Sequence, residues 1–130
     1  MIQRIQTVFL LLISIVSALG FLFLPSLNFS GLGFPTPLVL TSYLILSGGL
    51  SLLTLLLFKR RKIQLSLNRL HSFLQIIAFS GLVYEMVNGD DLNGYLLWLA
   101  MPLLALILLV LSSRAIRKDE DLIRSIDRLR

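Results

Sequence analysis

The chain has 130 residues, 56% of them hydrophobic, and a mean hydropathy of +0.88. One soluble core of this size cannot hide so much apolar surface, so an ordinary soluble domain is excluded and lipid is the expected surrounding. The formal charge of +5 is placed as topology markers around apolar runs, so no nucleic-acid partner is expected; the absence of cysteine excludes disulfides and thiolate chemistry.

The first apolar run, residues 5–24, holds no charge, and about 20 residues at 1.5 Å rise cover the roughly 30 Å hydrocarbon core. Arg4 before it and Ala18 and Gly20 near its end also fit a cleaved signal peptide. The run continues through Phe21, Leu22, Phe23 and Leu24 to Pro25, longer than the usual signal core, which favours an uncleaved anchor. Proline, glycine, serine and asparagine crowd the stretch from Pro25 to Pro37, so it reads as an uncharged loop.

A second span, residues 38–58, stops at the cluster Lys59, Arg60, Arg61 and Lys62. The third is placed at 66–87, its helix starting near Ile63 or Leu65, with Arg69 snorkelling to the headgroups. Asn88, Gly89, Asp90, Asp91 and Asn93 form a polar turn before a fourth span, residues 95–111, which Pro102 is expected to bend.

From Ser112 the chain changes character, mixing charges of both signs with Ile116, Leu122, Ile123, Ile126 and Leu129 at helical spacing. Arg117 with Asp121 and Glu120 with Arg124 are i,i+4 pairs that favour helix. The expected fold is therefore all-α: a four-helix transmembrane bundle over residues 1–111 and a C-terminal cytoplasmic amphipathic helix over 112–130.

Arg4, Lys59 to Lys62, Arg69 and every basic residue from Arg114 onward fall on one side of this arrangement, which the positive-inside rule makes cytoplasmic. Tyr43, Tyr84, Tyr95 and Trp98 fall near the other ends of their spans, as interfacial aromatics do. The expected location is a multi-pass inner-membrane protein with both termini in the cytoplasm.

Glu85 is the one acidic residue inside an apolar run, by default a proton or cation site. It also lies within one turn of the polar loop and could reach headgroup water, so a structural, interfacial role is expected. His71 stands without the partners a metal site needs. Lys59, Arg60, Arg61 and Lys62 are candidate lipid-headgroup contacts. Leu122, Ile126 and Leu129, rimmed by Arg124 and Arg128, form a candidate interaction face. Small residues, Ser14 with Ala18, then Ser47, Gly48 and Ser51, then Ala78 and Gly81, suit close helix approach. No catalytic triad, phosphate loop, paired catalytic carboxylates or zinc spacing can be assembled, so neither enzyme activity nor a cofactor is expected.

The opening Met1-Ile2-Gln3-Arg4-Ile5-Gln6 and the closing stretch from Arg114 to Arg130 resemble an uncharacterised family of small four-span bacterial membrane proteins, a domain-of-unknown-function family. The resemblance implies an uncleaved N-terminus, a cytoplasmic tail and an inner-membrane location in Gram-negative bacteria, and it brings no activity. The leading expectation is a non-enzymatic interaction or assembly subunit, with membrane lipids and a membrane-protein partner or a second copy as partners. The alternative is a small dimeric transporter or proton-coupled exporter. It resembles small multidrug exporters in size and span count only, because the first span here has no acidic residue.

Overall fold

The computed structural model describes residues 3–24, 36–88 and 92–128. They form four helices: α1 (Gln3–Phe23), α2 (Thr36–Leu56), α3 (Arg61–Asn88) and α4 (Leu92–Arg128). All four are long and apolar enough to cross a membrane, and the chain is a multi-pass membrane protein.

Each helix closes its own backbone hydrogen bonds, the condition for standing in hydrocarbon. Hydroxyls that face outward follow the same logic. Ser80 Oγ donates back to the carbonyl of Ile76 at 3.0 Å, and Ser42 Oγ to that of Val39 at 2.8 Å, so neither presents an unmet donor to lipid. Pro37 sits in the first turn of α2, where a missing N–H costs nothing.

At the other end of α2 the basic cluster cannot continue into lipid, and the chain reverses within a few residues. Arg60 N–H donates to the Leu57 carbonyl at 2.9 Å and Gln64 N–H to the Arg60 carbonyl at 3.0 Å, which starts α3 at Arg61, ahead of the expected span. α4 is a single helix of 37 residues that continues through Pro102. At 1.5 Å per residue it is about 55 Å long, roughly 25 Å more than the hydrocarbon core, so the tail is its rigid continuation.

The helices pack as a ring in chain order, α1 to α2 to α3 to α4 and back to α1, with no close approach of either diagonal pair among the described residues. The α2–α3 seam is the least closely packed. Leu40, Leu44, Leu82, Tyr95, Trp98 and Leu99 fill the end away from the basic loop, while Leu10, Ile13, Ala105 and Leu109 lock α1 against α4. Many large apolar side chains point outward, Leu22 at 71% and Val87 at 74% exposure among them. Apolar surface on this scale is a lipid-facing belt.

Candidate functional site

The interior of this bundle is polar along much of its length. On α3 the buried residues are Gln64, Asn68, His71, Gln75, Leu82 and Glu85, separated by three, four or seven residues, so they share one stripe. From Gln64 to Glu85 the helix rises about 31 Å, the depth of the hydrocarbon core. Gln6 and Ser17 of α1, Ser47, Ser51 and Thr54 of α2, and Ser112 of α4 are buried too, so all four helices contribute polar groups to the interior.

Midway along, the groups form a network whose hydrogens can be assigned. Gln75 Nε2 donates to Ser47 Oγ at 2.9 Å and lies 2.9 Å from His71 Nε2. Ser17 Oγ donates to Ser47 Oγ at 3.3 Å, and Ser47 Oγ lies 3.0 Å from His71 Nε2. Tyr43 OH donates to Gln75 Oε1. An amide NH2 only donates, so with this amide orientation His71 Nε2 is the acceptor and the neutral imidazole carries its proton on Nδ1.

That Nδ1 has no hydrogen-bond partner among the described residues, and neither do Asn68 Oδ1, Gln64 Oε1 and Gln64 Nε2. Asn68 Nδ2 is engaged, donating to Ser112 Oγ and Ser113 Oγ, each at 3.3 Å. The unpartnered atoms belong to three consecutive members of the stripe, over about 10 Å at the end nearer the basic loop. Gln6, Ser51, Thr54 and Ser112 belong to the same half of the bundle, as their places on α1, α2 and α4 require.

Glu85, expected at the headgroup boundary, has no exposed surface and faces the interior. Its spacing from Leu82 and Gln75 on α3 sets this direction, because the helical period overrides proximity to the polar loop. Arg69 is exposed, with its side chain outside the bundle. Lys59, Arg60 and Lys62 are exposed, and Lys59 Nζ lies 5.9 Å from the Phe58 ring centroid. Arg61 turns instead to Asp119 of α4, with Nη2 and Oδ2 2.9 Å apart. In the tail Leu122 and Ile126 are exposed and Arg124 pairs with Glu120 at 2.9 Å, while Leu129 lies outside the described residues, as does the side chain of Arg128. Of the small residues, Gly48 lies against Ser17 of α1, where an added Cβ would be 3.6 Å from that of Ser17.

Reading each span for charge and length missed Gln6, Gln64, Asn68, Gln75 and Ser112. The available signal was the four-three-four spacing of Gln64, Asn68, His71 and Gln75, a polar stripe written at the period reserved for a packed seam.

No curated protein and no solved structure matches this chain. A family pattern does match, over residues 33–129, which takes in the whole of α2, α3 and α4. The chain belongs to that family, a domain of unknown function designated DUF4293.

Proposed function

We propose that this protein is a small non-enzymatic carrier that moves protons across a bacterial inner membrane, with its termini and basic loop on the cytoplasmic side. The observation that carries the reading is the buried polar stripe of α3 with its unpartnered atoms at Gln64, Asn68 and His71. In hydrocarbon an unmet polar group costs several kcal/mol. A bundle built only to be stable would fill these positions with leucine, so groups retained there are suited to water or a proton in transit. His71 accepts at Nε2 and holds its proton at Nδ1, so a proton can arrive on one ring nitrogen as another leaves from the other. Glu85 is a second titratable group, about 21 Å further along the same stripe.

The test is purified protein in liposomes with an imposed pH gradient and an internal pH dye. Wild type should dissipate the gradient faster than protein-free vesicles. Gln64→Leu breaks no side-chain hydrogen bond among the described residues and should slow this several-fold in a folded protein, whereas lipid-facing Ser80→Ala should not. Wild-type rates equal to those of protein-free vesicles sink the proposal.

The tail supports a second reading, an interaction subunit. Leu122 and Ile126 are 43% and 59% exposed on a helix held to the basic loop through Arg61 and Asp119. A rigid, clamped extension with apolar side chains in the open suits docking to another protein. The acidic residues Asp119, Glu120 and Asp121 weigh against adsorption to anionic lipid.

A further inference from the structure

Two contacts fix α3 against α4 at the end of the bundle that carries the basic loop: Arg61 with Asp119, and Asn68 with Ser112 and Ser113. The helices run in opposite directions, so this register puts Arg114 of α4 at the depth of Ser66 on α3. Arg61 and Arg124 are each matched by a carboxylate, whereas Lys62, Arg69 and Arg114 are exposed and form no ion pair among the described residues. Lys62, Ser66 and Arg69 follow one another at four and three residues on the side of α3 opposite its buried stripe. Two turns, about 10 Å, separate the two cations. Beyond Arg69 the same side continues as Phe73 and Ile76, both apolar and exposed. One outward strip thus passes from cations and a hydroxyl to bare apolar side chains.

We infer that this strip holds an anionic phospholipid of the leaflet beside the basic loop, its phosphate between Arg69 and Lys62 within reach of Ser66, and an acyl chain along Phe73 and Ile76. Charge complementarity selects the head. A guanidinium forks onto phosphate oxygens, and the unpaired cations favour a lipid of net negative charge over a zwitterionic one, whose own cation they repel. An unpaired arginine on the lipid-facing side of a span is costly, and a bound phosphate offsets that cost. The apolar continuation selects a lipid over a soluble phosphate, which would have nothing to lay against Phe73 and Ile76. Arg69 marks the site more than the loop cluster does, because Lys59 and Arg60 lie in the turn before α3 and Arg61 is turned to Asp119. The inference stands apart from the carrier reading, since binding is measured without a gradient.

The experiment uses the full chain in dodecyl maltoside micelles, with native mass spectrometry to count bound dioleoylphosphatidylglycerol or dioleoylphosphatidylcholine at matched concentrations. Wild type should bind the phosphatidylglycerol about tenfold more tightly than the phosphatidylcholine. Lys62→Gln with Arg69→Gln should erase that preference. Lys59→Gln with Arg60→Gln removes the same charge and should leave the preference within about twofold of wild type. All four side chains are exposed, so neither pair of substitutions disturbs the core. An unchanged preference in the first double variant overturns the site, and an equal loss in both would assign the attraction to net charge alone. Equal binding of the two lipids by wild type also overturns it. So does displacement of the phosphatidylglycerol by glycerol 3-phosphate at equal concentration, which would make the ligand a soluble phosphate.

Discussion

Ser47 Oγ on α2 and His71 Nε2 on α3 lie 3.0 Å apart inside the bundle, and Ser47 is also the acceptor for Ser17 of α1 and Gln75 of α3. One hydroxyl thus ties three helices. Ser47→Ala removes the acceptor of two buried donors and the donor to His71, and should destabilise the fold by about 1–2 kcal/mol. Ser80→Ala, whose hydroxyl bonds its own helix, should stay within about 0.5 kcal/mol. Equilibrium unfolding in mixed micelles measures both, and equal effects would show that Ser47 does not bridge helices.

Two glycines of the spans should answer alanine in opposite ways. At Gly20 a Cβ would sit 2.9 Å from Met101 Cε and 3.3 Å from both Leu24 Cδ1 and Leu44 Cδ2. Methionine can yield but the leucines crowd the same point, so Gly20→Ala should cost about 1–3 kcal/mol. Gly81 has open space, and Gly81→Ala should gain up to about 1 kcal/mol from helix propensity. Melting temperatures of the two variants decide the matter, and a drop in both would mean that the seam beside Gly81 is closed.

Arg61 and Asp119 fasten the start of α3 to the extension of α4, with side chains 23% and 14% exposed. Asp119→Arg should speed amide hydrogen exchange in the tail, and adding Arg61→Glu should restore protection by re-forming the pair in reverse. A single partly exposed pair is worth only about 1 kcal/mol, so the readout is local protection and not global stability. If the double variant remains as labile as the single one, the pair does not hold the tail.

Leu122→Ser with Ile126→Ser keeps every charge and removes exposed apolar area from the tail. Because α4 extends through this region as one helix, helicity should persist while any co-purifying membrane-protein partner is lost. Retention of that partner by the serine variant, with its release on charge reversal at Arg124 and Arg128, would assign the contact to electrostatics.

The chain has no native thiol, so single cysteines report sidedness without background. Asn28→Cys and Asp90→Cys should react with an impermeant maleimide in intact cells with permeabilised outer membranes. Lys62→Cys and Arg130→Cys should react only after lysis. Labelling of Lys62→Cys before lysis would reverse the orientation.

How many helices form and roughly where they turn was legible in the sequence, because the cost of burying charge in hydrocarbon acts on contiguous stretches. The uncharged runs, the proline-rich loop and the cluster from Lys59 to Lys62 needed no tertiary contact to be read. The interior was another matter. A glutamine or asparagine in a span is tolerable facing either way until its neighbours are known, and only packing showed that Gln64, Asn68, His71 and Gln75 turn inward, the last three to meet Ser47, Ser112 or one another. Likewise, proximity to the polar loop suggested that Glu85 reaches water, while the helical period points it into the bundle. A lateral groove of about 350 Å3 between α2 and α3 was equally invisible: small residues at Ala78 and Gly81 suit close packing or an opening, and the loose α2–α3 seam decided for the opening. Hydropathy is a property of segments, but which side of a helix meets protein is a property of the other helices.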